Sequence, residues 1–185
     1  MTTYISMLRG INVSGQRLIK MDALRKMYEN LGLQNVTTYL QSGNVVFTGD
    51  DNDVDVLEQR ISQQIEIDFR FEVPVIVLTM SILKQVIDNN PLLNNQNIDS
   101  SFLHVTFLYS LPHHSEYKLI EAKKQNGEEI SFSDNAVYLY CPNGYGRTKL
   151  TNNFLESRLK VGATTRNWKT TTELFKIAQT IVPQR

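Results

Sequence analysis

The order of β-rich and helix-periodic runs constrains the fold of this chain more than any single motif does. In the first half, runs rich in β-formers and runs with apolar residues at helical spacing follow one another as β-α-β-β-α-β. Their positions are 3–8, 22–31, 36–40, 44–47, 54–65 and 73–78. This order is that of a ferredoxin-like split βαβ unit, in which helices pack on one face of a four-stranded antiparallel sheet.

The second half repeats this order less clearly. Its predicted strands and helices lie, in chain order, at 102–109, 116–124, 129–132, 137–141, 154–159, 163–164 and 174–181. A predicted helix at 81–87 and an asparagine-rich stretch at 94–101 separate the two copies. We therefore predict an α+β fold with two ferredoxin-like βαββαβ halves in tandem, arisen by duplication. The predicted domains are residues 1–80, a bridging helix and linker at 81–101, and residues 102–185 with a C-terminal helix.

The charge balance and the cysteine content limit the classes of partner and the compartment. Lys plus Arg and Asp plus Glu each number 19, so no global field draws the chain to nucleic acid or anionic lipid, although a local basic patch is compatible with this balance. The sequence has no signal-peptide pattern and no run of about 18 apolar residues. Cys141 is the only cysteine, which excludes internal disulfides and fits a reducing compartment. We expect a cytoplasmic protein without a membrane partner.

Four short polar stretches lie where predicted strands end or hairpins turn. They are RGIN at 9–12, QSGN at 41–44, GYGRTK at 144–149 and TTRNW at 164–168. In a split βαβ unit the first and third strands are central and antiparallel, so the first two stretches should lie side by side. The exits of the third and fourth strands share one edge of the sheet, so the last two stretches should also meet.

These stretches suggest a binding surface for an anion. GYGRTK precedes a predicted helix whose first turn holds Thr148, and free N–H groups at a helix start, with Arg147 beside them, suit a phosphate or a carboxylate. The spacing matches neither a P-loop nor a dinucleotide fingerprint. The candidate ligand-binding residues are Arg9, Asn12, Gln41, Ser42, Asn44, Arg147, Lys149, Thr165, Arg166, Asn167 and Trp168.

Each stretch also has a purely structural interpretation. In that interpretation Thr148 caps a helix, and residues 42–43 only turn a hairpin. Asn167 then caps the last helix, and Arg166 pairs with an acid such as Glu156. Both interpretations stay open from the sequence.

The leading functional hypothesis is the binding of a small anionic or nucleotide-like ligand by Arg9, Arg147, Lys149 and Arg166. One alternative is a phosphoryl- or acyl-transfer enzyme that uses the same surface, and another is an oligomer or interaction module whose polar loops form a protein interface. An enzyme needs a nucleophile with a base, or a metal site, and neither is recognisable in the sequence. The catalytic residues, the cofactor and the oligomeric state therefore stay unknown at this point.

The potential metal ligands and the single thiol favour structural roles. The three histidines lack metal-ligand spacing. The acidic cluster at 50–53 lacks the glycine of a calcium loop, and it suits the cap of the helix that follows. Cys141 ends an apolar strand, which predicts a buried and unreactive thiol.

The sequence does not favour recognition of a specific nucleic acid. A ferredoxin-like sheet that reads RNA stacks bases on aromatic side chains of its first and third strands. Here the predicted third strand has Asn44 and two valines where such rings are needed, and Tyr4 and Phe47 alone do not form a platform. The zero net charge argues in the same direction.

The four polar stretches also resemble those of a known family. LRGINV at 8–13, YLQSGNVVF at 39–47, RTKL at 147–150 and ATTRNW at 163–168 are similar to the signature stretches of the bacterial domain of unknown function 1697 (DUF1697). The similarity extends over essentially the whole chain. It implies a cytoplasmic α+β protein with two ferredoxin-like halves, and it supplies no activity. Members of that family commonly have Gly-Gly where this chain has Ser14-Gly15.

Overall fold

Hydrophobic periodicity gives the chain the predicted alternation of strands and helices. The computed structural model describes residues 1–51 and 53–181. Its strands and helices, in chain order, are β1 (Thr2–Leu8), α1 (Met21–Asn30), β2 (Gln34–Tyr39), β3 (Asn44–Gly49), α2 (Val54–Phe69), β4 (Val75–Thr79), α3 (Met80–Asp88), β5 (Leu103–Leu108), α4 (Tyr117–Glu121), β6 (Glu129–Phe132), β7 (Ala136–Tyr140), α5 (Asn152–Leu159), β8 (Ala163–Asn167) and α6 (Trp168–Thr180). The order β-α-β-β-α-β therefore occurs twice.

The first of two compact units contains Met1–Gln85 and the C-terminal helix from Glu173 onward. Its sheet has the strand order β2-β3-β1-β4, and every neighbouring pair is antiparallel. Strands β1 and β3 are central, and nearly all of their residues are buried. Burial on both faces explains the run of three successive apolar residues at 45–47 of β3.

Helices α1 and α2 each bury one stripe of side chains. The buried residues recur three or four positions apart: Leu24, Met27, Tyr28, Leu57, Ile61 and Ile65. That spacing places them on one face of each helix, towards the core. Helix α2 begins where the acidic cluster predicts, because the side chain of Asp53 accepts hydrogen bonds from the N–H groups of Asp55 and Val56.

The second unit, Val86–Thr172, has the same topology. Its strand order is β6-β7-β5-β8, again with antiparallel neighbours. One face of its sheet buries Val137 and Leu139 together with Ile120 of α4 and Leu155 of α5. The prediction of two ferredoxin-like α+β halves is confirmed. The predicted boundaries at 80 and 102 stay a prediction about the duplication, because compact units reflect contacts rather than ancestry.

The last strand is longer than its sequence suggests. Most of the TTRNW stretch belongs to β8, which pairs with β5 through partners such as Thr165 and Thr106. The expectation of a two-residue strand followed by a polar loop is therefore wrong. Long-range pairing with a central strand imposes the extended conformation on polar residues that show no apolar alternation.

The first turn of helix α5 does not hold Thr148, as one expectation from the sequence had it. Thr151 is its N-cap, since its hydroxyl accepts a hydrogen bond from Phe154 N (3.2 Å). Thr148, the predicted cap, instead accepts from Leu150 N (3.0 Å) in the preceding turn. Both threonines have the right chemistry for a cap, and the buried Leu150 lies between them in the sequence.

Within residues 1–51 and 53–181, no helix is long and apolar enough to cross a membrane.

Candidate functional site

The segment between β1 and α1 forms a finger, residues 12–17. At its tip Gln16 N donates a hydrogen bond to Val13 O (2.9 Å), and Ser14 and Gly15 both have positive φ, 51° and 74°. Positive φ at both central positions is the type I′ arrangement of tight β-hairpins. Glycine fits both positions without strain, which agrees with the Gly-Gly common there in the family that the sequence resembles.

Asn12 fastens the base of the finger to two neighbouring segments. Its Nδ2 donates to Ile19 O (2.9 Å) and to Gln41 O (2.8 Å), and its Oδ1 accepts from Ile19 N (2.9 Å). Its backbone N–H donates to Arg17 O (3.1 Å). The predicted contact between RGIN and QSGN is confirmed. Both donor hydrogens of the Asn12 amide bind carbonyl groups of the protein itself.

QSGN forms a structural turn that joins the β2–β3 hairpin to the end of β1. The buried Asn44 donates through Nδ2 to Tyr39 O (2.9 Å) and to Ser42 Oγ (3.0 Å). Gly43 O accepts from Leu8 N (2.8 Å). A Cβ atom on Gly43 would lie 2.9 Å from Leu8 Cβ, so only glycine fits there.

Three cations lie on the finger and beside it. Arg9, Arg17 and Lys20 fall in a stretch, 9–20, that contains no Asp or Glu. Arg17 and Lys20 are exposed, and neither forms an ion pair with another residue of the described parts of the chain. Arg17 and Lys20 therefore give this end of the first sheet positive charge that no side chain of the described residues neutralises in an ion pair.

Apolar side chains are exposed at the same end of the sheet. Val13 is 59% exposed, Leu18 66% and Leu40 52%. The bond from Asn12 to Gln41 O places the finger beside the hairpin tip that carries Leu40. Single exposed apolar residues are ordinary, but several of them at the same end of the sheet as the exposed Arg17 and Lys20 suit a ligand with both anionic and apolar parts.

In the second unit, GYGRTK is linked to β8 indirectly, through His104 and Asn152. The Tyr145 ring stacks on His104 with 4.6 Å between centroids, and its hydroxyl accepts from Asn152 N (3.0 Å). The Asn152 side chain accepts from Thr165 Oγ1 (2.9 Å), which also bonds Thr106 Oγ1 (2.8 Å). Burial lowers the pKa of His104, so this ring is neutral near pH 7.

The start of α5 is already satisfied by protein groups. Asn152 N donates to the Tyr145 hydroxyl and Phe154 N to the Thr151 hydroxyl. Two of the N–H groups that were expected to hold an anion are thus occupied. Arg147 and Lys149, predicted to support such a ligand, are exposed in the stretch before the helix.

The residues at the β8–α6 junction have structural partners. Asn167 caps α6, because its Oδ1 accepts from Thr170 N (2.7 Å), and the structural interpretation of this residue is confirmed. Trp168, the first residue of α6, is half-buried. Arg166 lies on the other face of β8 from Thr165 and donates through Nη1 to Thr165 O (3.0 Å). Burial lowers the pKa of Arg166 to about 10, which leaves it charged near neutral pH.

Cys141 and His114 are the next groups to consider for catalysis. Cys141 is buried, as predicted, and burial raises the pKa of its thiol to about 11, with the charge of Glu128 acting in the same direction. The thiol is therefore protonated and unreactive near neutral pH. His114 Nε2 lies 3.8 Å from Asp134 Oδ1, and both side chains are exposed. Among the described residues, no three or more His, Cys, Asp or Glu are grouped so as to hold a metal ion.

The aromatic residues of β1 and β3 belong to the core. The rings of Tyr4 and Phe47 stack on each other with centroids 5.6 Å apart, and both side chains are buried. They offer no exposed face on which a nucleic-acid base could stack.

Sequence reasoning missed several participants in these clusters. For Arg17 and Lys20 a signal existed, namely the absence of acids between positions 9 and 20. For Tyr145, Asn152 and His104 no local signal existed. The partners of the Asn152 side chain, for example, are 11 and 13 positions away along the chain.

Comparison with known proteins gives a fold relative and a family. A conserved bacterial protein from Streptococcus pneumoniae has a similar structure, with a TM-score of 0.71 and 22% sequence identity over 96% of this chain and 98% of that one. At this identity the likeness concerns the fold alone. No curated protein matches the chain. The model of the family described as proteins of unknown function (DUF1697) matches residues 1–138, and the chain, with the RGIN and QSGN turns in place, belongs to that family.

Proposed function

We propose that the first unit binds a small phosphate-bearing, nucleotide-like ligand where the finger meets the tip of the β2–β3 hairpin. Arg9, Arg17 and Lys20 supply the positive charge for the phosphate. The observation that carries the proposal is the exposure of Arg17 and Lys20 without an acidic partner among the described residues. Exposed cations without local acids attract anions, and the attraction weakens as salt increases.

The apolar side chains beside these cations favour a ligand that is more than a bare anion. Val13, Leu18 and Leu40 offer contact area for a nucleobase or a similar apolar group. The type I′ turn and the hydrogen bonds of Asn12 already hold the finger in one conformation. Binding therefore costs little conformational ordering of the protein.

The proposal narrows the set of residues predicted from the sequence. Asn12, Ser42, Asn44 and Asn167 have hydrogen bonds that account for their residue type without a ligand. Ligand roles for the other members of the set, and the alternatives of a transferase and of an oligomer interface, stay predictions.

Calorimetric titration of the full chain with AMP, adenosine and inorganic phosphate tests this function. We expect AMP to bind more tightly than either part alone, and we expect higher salt to weaken the binding. Arg17→Asn should lower the affinity for AMP about tenfold, the loss of roughly one charge-assisted hydrogen bond. Asparagine is the suitable replacement because Arg17 has a positive φ of 48°, which asparagine tolerates.

Lys26→Ala is the matched control, since Lys26 is an exposed lysine of α1 in the same unit. It should leave the affinity for AMP unchanged. Equal losses in Arg17→Asn and Lys26→Ala would show unspecific charge attraction and would contradict the proposal. Loss of binding in Arg147→Ala but not in Arg17→Asn would move the site to the second unit.

A further inference from the structure

The second unit has a polar groove that is separate from the finger. It encloses about 250 Å³, enough for a phosphate group with a small substituent. The turn after β5 and the last part of α5 meet there, and His113 N donates to Leu159 O (3.1 Å). The groove is lined by His113, Ser115, Glu116, Ser157, Arg158 and Lys160.

One acid and one base of the groove neutralise each other. Arg158 Nη1 lies 3.4 Å from Glu116 Oε2, and its guanidinium carbon lies 5.8 Å from the centre of the Phe154 ring. The ion pair offsets the charge of Glu116, and both contacts hold Arg158 in place.

The remaining side chains of the lining have no partner among the described residues. Within the described residues, the side chains of His113, Ser115, Ser157 and Lys160 make no hydrogen bond or ion pair with another residue. The C-terminal end of α5 carries only about half a negative elementary charge, so it offsets only part of the positive charge of Lys160, and His113 N already binds the carbonyl of Leu159. The balance favours a bound anion.

We infer that this groove binds a small tetrahedral oxyanion, namely phosphate or the phosphate group of a monoester. Lys160 supplies the charge, the hydroxyls of Ser115 and Ser157 donate hydrogen bonds to the oxygens, and an imidazole N–H of His113 donates a further one. The site does not depend on the function proposed for the finger, because its residues belong to the other unit.

An NMR titration of the ¹⁵N-labelled full chain with inorganic phosphate at constant ionic strength tests this site. We expect saturable shifts of the amides of Ser115, Ser157 and Lys160. Lys160→Asn should weaken this binding about tenfold, the factor that corresponds to roughly 1.4 kcal/mol. Asparagine removes the charge, and it tolerates the positive φ of 58° that Lys160 adopts at the end of α5.

Two further variants separate a binding site from a structural effect. Glu116→Gln frees Arg158 from its ion pair and should tighten phosphate binding severalfold, whereas loss of structure would weaken it. Lys118→Gln alters an exposed lysine of α4 outside the groove and should change nothing. Shifts that do not saturate, or an equal loss in Lys160→Asn and Lys118→Gln, would overturn the inference. Arg17→Asn should leave the groove shifts unchanged, so the two sites can fail independently.

Discussion

Gly43 and Gly15 show how the surroundings of one residue decide whether it can change. Both have positive φ, 76° and 74°, which disfavours any residue with a Cβ atom. At Gly43 that atom would also lie 2.6 Å from Ile11 Cδ1 and 2.9 Å from Leu8 Cβ. At Gly15 it would meet nothing within 4 Å. The two positions thus separate backbone strain from steric overlap.

Gly43→Ala should therefore destabilise the protein far more than Gly15→Ala. We expect a loss of roughly 1 kcal/mol for Gly15→Ala from backbone strain alone, and roughly 2–5 kcal/mol for Gly43→Ala, where overpacking adds to it. Urea denaturation of both variants measures the difference. Similar losses in the two variants would show that the packing of Gly43 against β1 is looser than the distances imply.

Asn12 and Asn97 allow a second comparison between single residues. Asn12→Asp keeps an acceptor for Ile19 N but loses the donation to Ile19 O and Gln41 O, so we expect a loss of about 1–3 kcal/mol. Asn97→Asp adds the same charge at an exposed asparagine and should cost little. The denaturant midpoints of the two variants measure this difference in stability. An Asn12→Asp protein as stable as the Asn97→Asp protein would mean that the finger is held by its turn alone.

These residues also show what the sequence could predict about the candidate site. The proximity of RGIN and QSGN follows from the antiparallel pairing of β1 with β3, and it was predictable. The use of the asparagine amides was not, because an amide that binds a ligand and an amide that binds a carbonyl of its own chain look the same in a sequence. Only the positions of acceptors such as Gln41 O distinguish them.

Among the elements, α2 and α5 protect an edge strand in the same way. Glu58 Oε1 accepts from Val77 N (2.7 Å) of β4, and Glu156 Oε1 accepts from Ala163 N (2.8 Å) of β8. Each glutamate is the fifth residue of its helix, since α2 begins at Val54 and α5 at Asn152. An unpaired N–H at a sheet edge invites pairing with another chain, and a carboxylate that binds it removes that opportunity. The shared device supports a common origin of the two halves.

Glu58 should make stability depend on pH. Burial raises the pKa of this carboxyl to about 7; the bond from Val77 N opposes the shift and the charge of Asp55 adds to it. Since the folded state then holds its proton more tightly than the unfolded state, the stabilisation is full below the unfolded-state pKa. It is lost as pH rises through about 7.

Glu58→Gln tests this dependence. The free energy of unfolding of the unmodified protein should fall between about pH 5 and about pH 8, and Glu58→Gln should reduce that fall by on the order of 1 kcal/mol, a figure discounted for partial solvent exposure. Urea denaturation at the two pH values measures it. Glu66→Gln, at an exposed position of the same helix, is the control. An unchanged pH dependence in Glu58→Gln would mean that the carboxyl is better hydrated than its position implies.

The elements were the most predictable level of this structure. Apolar spacing located the helices and the central strands, because burial imposes the period of each element. The predicted first turn of α5 and the predicted length of β8 were wrong, since both depend on packing and pairing that the local sequence does not show. Leu150 occupies the core and leaves Thr151 to cap α5, and β5 draws the polar residues of β8 into the sheet.

For the whole molecule, the grouping of the C-terminal helix is the least expected result. Residues from Glu173 onward group with the first unit, although they follow the second unit in sequence. The order of elements could predict two similar halves, but it could not predict this grouping, which depends on where apolar residues such as Leu174 and Ala178 become buried.

Hydrogen exchange of two core variants tests the grouping. Leu174→Ala should reduce the protection of amides in β1–β4 more than in β5–β8, whereas Leu155→Ala, in the core of the second unit, should do the opposite. Each truncation of a fully buried leucine should cost about 2–5 kcal/mol of local stability. The same loss of protection in both sheets for both variants would show that the chain unfolds as a single cooperative unit.

Asn12 holds the base of the finger by hydrogen bonds, whereas most residues from 13 to 18 are exposed. This difference affects how relatives should be compared. Asn12, Ser42 and Asn44 are explained by hydrogen bonds that close turns, so sequences gathered by these letters share a scaffold and not necessarily a ligand. Positions 13–18 are not bound by that constraint, apart from the backbone angles of the turn. Relatives that share the hydrogen bonds of Asn12 can therefore be sorted by the charge and size of the residues at positions 13–18, and each resulting group should have its own binding preference.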